Sequence, residues 1–239
     1  MYNNFSTTNQ NNSLKNKKPL LITIDGPAGA GKTTIAHTLA KHLSYRYYDT
    51  GSLYRAVSYE AIAAGITIDD HSEVEQLCEK IDFKFINSGN GLRLLSNNLD
   101  ITDKIRTKRI TMIASAVSAI PVVRKCLLDF QRDLGLGKKA IFEGRDMGTV
   151  VFPNADIKFY LDASCEVRAL RRFNQISSSK TQLLHEVEND IKKRDANDTT
   201  RMLAPLKPAL DAVCIDSTSL AINEVIDTML LYIIDMWVN

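Results

Sequence analysis

The chain of 239 residues carries 30 Lys and Arg against 28 Asp and Glu, and 44% of it is apolar. This is the balance of a globular protein with length enough for one sizeable core. The net charge of +2 supplies no global basic field for nucleic acid, and no apolar run reaches the roughly 18 residues that a membrane helix needs.

Residues 1–19 are rich in Asn and Ser and end in Lys15-Asn16-Lys17-Lys18-Pro19. They lack the apolar stretch of a secretory signal and predict a disordered tail. Leu20 to Asp25 then reads as a buried strand, followed directly by Gly26-Pro27-Ala28-Gly29-Ala30-Gly31-Lys32-Thr33-Thr34. That run fits the phosphate-loop pattern in its proper setting, after a strand and before a helix from Lys32 to about Leu43. The glycines let successive backbone N–H groups turn toward one anion, and the helix start adds its dipole. Lys32 would reach the outer phosphates of a nucleoside triphosphate, and the Thr33 hydroxyl would enter the shell of a magnesium ion. The plain alternative is a glycine turn joining strand to helix.

Asp49-Thr50-Gly51-Ser52-Leu53-Tyr54-Arg55 falls at the expected end of a second strand, with Arg55 inside the next helix. Phe83 to Ile86, Leu92 to Leu95 and Leu99 to Ile101 are short, β-prone and separated by turn residues, which predicts a small antiparallel meander. Pro121 suits the first turn of a helix reaching about Arg132. Lys139 to Phe142 reads as another buried strand, so Glu143-Gly144-Arg145-Asp146-Met147-Gly148-Thr149 lies at its carboxyl end, where open α/β sheets place ligands. Ile157 to Leu161 and Val213 to Ile215 complete the strands. Ser164 can cap a helix from Cys165 to about Gln175, and Ser219 a last helix from Leu220 to about Met236. The apolar stretch within that last helix predicts docking on the core. This alternation predicts an α/β fold, a parallel sheet flanked by helices with right-handed crossovers.

Arginines recur at unexpected places. Arg168, Arg171 and Arg172 stand at i, i+3 and i+4 of one helix, and Arg194, Asp198 and Arg201 at i, i+4 and i+7 further on. A charged helix face is ordinarily just solvated. Yet arginine grips phosphate bidentately without losing its charge, and the two groups flank Ser177-Ser178-Ser179-Lys180, the tip of a candidate lid. No Asn-Lys-x-Asp motif of a switch GTPase is present. A kinase holding a second, anionic small molecule opposite the loop accounts for the arginines. A nucleotide-dependent regulator without turnover would need no lid, and a nucleic-acid binder would need a basic field and stacking aromatics. The four cysteines are scattered singly in sequence and are expected to be small buried hydrophobes in a reducing cytoplasm.

Taken together, ITIDGPAGAGKTT, YYDTGSLYRAVS, IASAVSAIPVVRKCLLDFQR, EGRDMGTVVFPNADIKFYLDAS and RDANDTTRMLAPLKPA resemble the bacterial cytidylate kinases, of the nucleoside monophosphate kinase family. The resemblance runs from about Leu20 to Trp237. It implies transfer of the γ-phosphoryl of ATP to CMP and dCMP in pyrimidine nucleotide metabolism. ATP with magnesium would lie on Gly26 to Thr34. Arg55, Arg145 and Arg201 would hold the CMP phosphate. Ser115, Arg124 and Asp146 would read cytosine, and Arg194 and Asp198 would meet the ribose. Arg168, Arg171 and Arg172 would belong to the lid, with Lys32, Arg145, Arg171 and Arg201 catalytic. It further implies a core of residues 20–65 and 106–239 with a lid at about 171–200, and an insert at 66–105 for the monophosphate. A cytoplasmic monomer without nucleic-acid or membrane partners is expected. A kinase for UMP or another small phosphoacceptor is the nearest alternative, and Asp146, as an acceptor for the cytosine amine, discriminates between them.

Overall fold

The apolar run Leu21–Asp25 forms β1, and all five of its residues are buried. In the computed structural model, which describes residues 17–89, 91–176 and 183–238, β1 lies at the centre of a five-stranded sheet. Its companions are β2 (Arg46–Asp49), β6 (Ala140–Glu143), β7 (Ile157–Asp162) and β8 (Val213–Asp216), in the order β2-β6-β1-β7-β8. Every pairing is parallel, with Ile22 opposite both Ile141 and Ile157. A parallel sheet is covered on both faces, which is why these strands read as continuous apolar runs.

The covering helices follow from the connections. On one face Ile22 and Ile24 pack against α1 (Lys32–Leu43) and α8 (Ile222–Val238). On the other, Leu21, Tyr48 and Phe142 meet Leu128 and Leu134 of α5 (Pro121–Gly135). A second apolar cluster joins α2 (Gly51–Ala63), α3 (His71–Lys80), α4 (Lys108–Val117) and α5. The expected meander is present as β3 (Phe83–Ser88), β4 (Gly91–Ser96) and β5 (Leu99–Asp100), all antiparallel. Its β4–β5 turn sets Asn97 and Asn98 at φ 48° and 65°, a left-handed geometry that Asn tolerates. Finally α6 (Cys165–Ile176) and α7 (Leu184–Thr200) close on each other through Ala169, Val187 and Ile191. Residues 177–182, with the Ser177 to Lys180 tip, lie outside the described residues, as do residues 1–16 of the tail.

Several local expectations are corrected. Helix α8 begins at Ile222, where Glu224 accepts from the Ala221 N–H at 2.7 Å, so Ser219 is not its cap. Ser164 does cap α6, accepting from the Val167 N–H at 3.3 Å. Met147–Val151, just past the carboxyl end of β6, winds into one wide π-type turn. The apolar residues of α8 are only partly covered: Val225, Met229 and Ile233 are buried, while Leu231, Ile234 and Val238 are exposed. Of the cysteines, Cys78 is buried but Cys126 and Cys214 are exposed. Among the described residues no single helix is long and apolar enough to cross a membrane.

All five strands of the main sheet end on an acid: Asp25, Asp49, Glu143, Asp162 and Asp216. Parallel strands bring these ends to one edge, and the Arg-bearing loops and helices gather there.

Candidate active site

The loop after β1 passes tightly between β7 and α6. Gly26 has φ 147°, and a Cβ there would stand 2.0 Å from the Leu161 carbonyl oxygen. Gly29 has φ 79°, and its Cβ would meet the Arg168 backbone at 2.8 Å. Helix α1 starts with no side-chain cap and no acid in its first turn, leaving its N–H groups open to an anion. Lys32 curls back and donates from Nζ to the Pro27 carbonyl at 2.7 Å. Burial, with Arg145 and Arg194 nearby, pushes its ammonium down to about 7. Such a lysine is held ready for an anion that restores its charge.

Three residues that sequence reasoning left without roles support this loop. The Thr33 hydroxyl donates to Glu143 Oε1 at 2.9 Å, and Tyr47 OH donates to Oε2 of the same carboxylate. Glu143 is buried, which raises its pKa. Asp25 accepts from the N–H groups of Met147 and Gly148 at 2.9 and 2.7 Å, and burial raises it to about 6. Asp25 therefore fixes the turn after β6 to the end of β1. The sequence signal for both acids was their position as the last residue of an apolar strand.

Around this turn the proposed acceptor-side residues converge. Asp146 is buried between two guanidinium groups, pairing with Arg124 and standing 3.3 Å from Arg201 Nη2. Burial raises its pKa, and Arg124 and Arg201 oppose that rise. Arg124 also donates to the Ser118 carbonyl at 2.9 Å and lies over the Tyr54 ring at 5.6 Å. Arg201 donates to Ala204 O at 2.7 Å and Ser118 Oγ at 3.2 Å. Arg145 Nε donates to Asp198 Oδ2 at 2.9 Å. Arg55, on α2, pairs with Asp49 at 2.5 Å.

A buried polar atom without a partner calls for an explanation, and a bound ligand is one. Ser115 Oγ, Arg55 Nε and Arg194 Nε are all buried without a hydrogen-bond partner among the described residues. Burial and the neighbouring Arg145 push the Arg194 guanidinium down to about 10. All three belong to the set expected to hold the second nucleotide.

The three α6 arginines separate. Arg168 turns inward, donating to Ala163 O at 2.8 Å and Ala28 O at 3.0 Å and pairing with Asp195 of α7. It braces the phosphate loop from behind. Arg171 reaches Ser217, donating to its carbonyl at 2.6 Å and its hydroxyl at 2.9 Å, with Ala30 O at 3.3 Å. Arg172 is exposed and, among the described residues, donates to Gln175 on its own helix at 3.4 Å. Arg168 and Arg171 thus both reach loop carbonyls from one face of α6, while Arg172 at its edge faces solvent.

Comparison with known proteins agrees with this arrangement. The family model described as cytidylate kinase matches residues 22–235. A cytidylate kinase of Geobacter sp. strain M21 is 44% identical over 218 residues, 91% of this chain and 94% of that one. Another, from Halalkalibacterium halodurans, is 43% identical and spans 90% of this chain and 98% of its own. Among solved structures, an uncharacterized protein from Eubacterium ventriosum shares the fold at a TM-score of 0.51 and 12% identity, covering 90% of this chain and 98% of that one. On this evidence of sequence, and with a phosphate loop facing a cluster of arginines at one sheet edge, the chain belongs to the cytidylate kinase family.

Proposed function

We propose that this protein transfers the γ-phosphoryl of ATP to CMP, and to dCMP, releasing ADP and the nucleoside diphosphate. One observation carries the reading. The donor loop and the acceptor-side turn meet at one strand end: Glu143 accepts from Thr33 at 2.9 Å, and Arg145, two positions on, donates to Asp198 at 2.9 Å with Lys32 and Arg194 nearby, so two anion sites share one narrow space. Bringing two phosphates together there requires this density of cations, because phosphoryl transfer depends on alignment and charge neutralisation.

The donor phosphates would rest on the N–H groups of Gly26 to Thr34, with Pro27, Ala28 and Ala30 shaping the loop and Lys32 at the outer end. Arg55, Arg145 and Arg201 would hold the CMP phosphate. Ser115, with its unpaired hydroxyl, would face the cytosine ring beside Arg124, and the Asp146 carboxylate would accept from the exocyclic amine. Arg194 and Asp198 would contact the ribose. The CMP oxygen attacks in line, already anionic near neutral pH, and needs no dedicated base. Lys32, Arg145 and Arg201 stabilise the developing charge. Arg171 would join them on lid closure by exchanging Ser217 for a phosphoryl oxygen. Arg168 would serve the lid by keeping α6 on the loop, and Arg172 would enter from the solvent side.

Magnesium suits the donor side. Thr33 and Glu143 offer a hydroxyl and a buried carboxylate 2.9 Å apart, and magnesium takes only one or two protein oxygens beside phosphate. It would draw charge from the transferring group. We further propose residues 66–105 as the monophosphate insert, about 171–200 as lid, and action as a cytoplasmic monomer without nucleic-acid or membrane partners. Assembly of all these side chains from one chain supports the monomer.

The test is ADP formation with each common nucleoside monophosphate. Turnover with CMP and dCMP far above UMP, AMP and GMP is expected; no ADP with any of them would overturn the reading.

A further inference from the structure

The two cysteines that meet in space are far apart in sequence. Cys126 lies on α5 and is exposed; Cys78 lies on α3 and is buried. The Cys126 thiol donates to the Cys78 carbonyl at 3.4 Å. The Cys78 thiol is also within hydrogen-bonding reach of the Cys126 sulfur. We propose that Cys126 and Cys78 form a peroxide-responsive thiol pair that closes to a disulfide, tying α3 to α5.

The chemistry follows from the unequal surroundings. When Cys126 ionises it accepts a hydrogen bond from the Cys78 thiol, which holds Cys126 down to about 7 and raises Cys78. A thiolate that is accessible, with a second sulfur beside it, is the arrangement that reacts and then resolves. Cys126 sulfur attacks one oxygen of hydrogen peroxide; the O–O bond breaks and the second oxygen leaves as hydroxide, which is protonated to water. The Cys126 sulfenic acid is then attacked by Cys78 sulfur. The S–S bond forms, the S–O bond breaks, and that oxygen leaves as water with the Cys78 proton. Two thiols and one peroxide give one disulfide and two waters.

The bond would cross-link elements that carry acceptor-side residues. Arg124 lies on α5 two positions before Cys126, and α3 packs in the same apolar cluster as α2, which bears Arg55. A cross-link between α3 and α5 restricts any relative movement of the two as CMP binds. The exposed Cys214, whose sulfur meets the Ala212 carbonyl at 3.9 Å and no other cysteine among the described residues, is an internal control.

The full chain is treated with hydrogen peroxide, alkylated and mapped without reduction. A peptide joining Cys78 to Cys126 is expected, lost on treatment with dithiothreitol, with Cys214 still alkylated. Cys78→Ser should stop at a Cys126 sulfenic acid trapped by dimedone, and Cys126→Ser should yield no linked peptide. Oxidation should raise the KM for CMP several-fold, reversed by dithiothreitol and absent in Cys126→Ser. The proposal is overturned if Cys214 oxidises as fast as Cys126, if Cys126 links instead to Cys165, Cys214 or a second chain, or if Cys78→Ser gives no dimedone adduct. An unchanged KM in fully cross-linked protein overturns the coupling to CMP.

Discussion

Arg145 Nε donates to Asp198 Oδ2 at 2.9 Å, joining the turn after β6 to α7 across 53 positions of sequence. The guanidinium is thereby aimed before any phosphate arrives, and the carboxylate offsets the burial of one more cation among Lys32, Arg194 and Arg145. Asp198→Asn keeps the shape and removes that charge. It should lower kcat/KM for CMP by roughly 2 kcal/mol, about thirtyfold, with ATP affinity little changed. Steady-state kinetics in both substrates checks it.

Base reading rests on Asp146, clasped by Arg124 and Arg201. Asp146→Asn should raise the KM for CMP by about 2 kcal/mol in binding terms while the Kd for ATP stays within twofold. An equal loss for both nucleotides would mean that Asp146 only supports the loop.

Burial pushes Lys32 down to about 7 from its usual 10.5 in the nucleotide-free protein. The sign follows. Below pH 7 the amine is already charged, whereas between 7 and 10.5 the folded protein has lost a proton that ATP binding must restore. ATP binding should therefore take up a proton at pH 8, and affinity should fall as pH rises above 7. Titration calorimetry in buffers of differing ionisation enthalpy measures the uptake, and Lys32→Met should abolish it.

Arg168 and Arg172 should respond oppositely to removal. Arg168→Ala leaves Asp195 and the Ala28 carbonyl without their buried partner and should cost about 3 kcal/mol of stability. Arg172→Ala, on the exposed side, should change stability by less than about 0.5 kcal/mol. Denaturant melts without nucleotide decide.

The glycines of the loop separate in the same way. Gly26→Ala would place a carbon 2.0 Å from backbone oxygen and should prevent the loop from forming, with ATP binding lost. A Cβ at Gly31 meets nothing within 4 Å, so Gly31→Ala should cost only left-handed strain, about 1–2 kcal/mol. Thermal melts of the two nucleotide-free variants check this.

Much of the protein is legible in one dimension. The run Leu21–Asp25 followed by Gly26 to Thr33 specifies strand, loop and helix, because apolar continuity, glycine freedom and helix propensity are local properties. The same locality placed the meander and the arginine-bearing turn after β6 at a strand's carboxyl end. What remained hidden is where side chains point. Arg168, Arg171 and Arg172 are three similar residues at helical spacing, yet only packing on the loop and α7 turns the first inward and leaves the third in solvent. Cys78 and Cys126 look solitary until α3 and α5 share a core, and Glu143 is one more acid until parallel pairing brings it beside Thr33 and Tyr47. The sequence by itself determined the strands of the sheet, the meander, the phosphate loop and the family; only the tertiary structure decided which charges pair, which stay open for a ligand and which thiols meet, since those depend on long-range contacts.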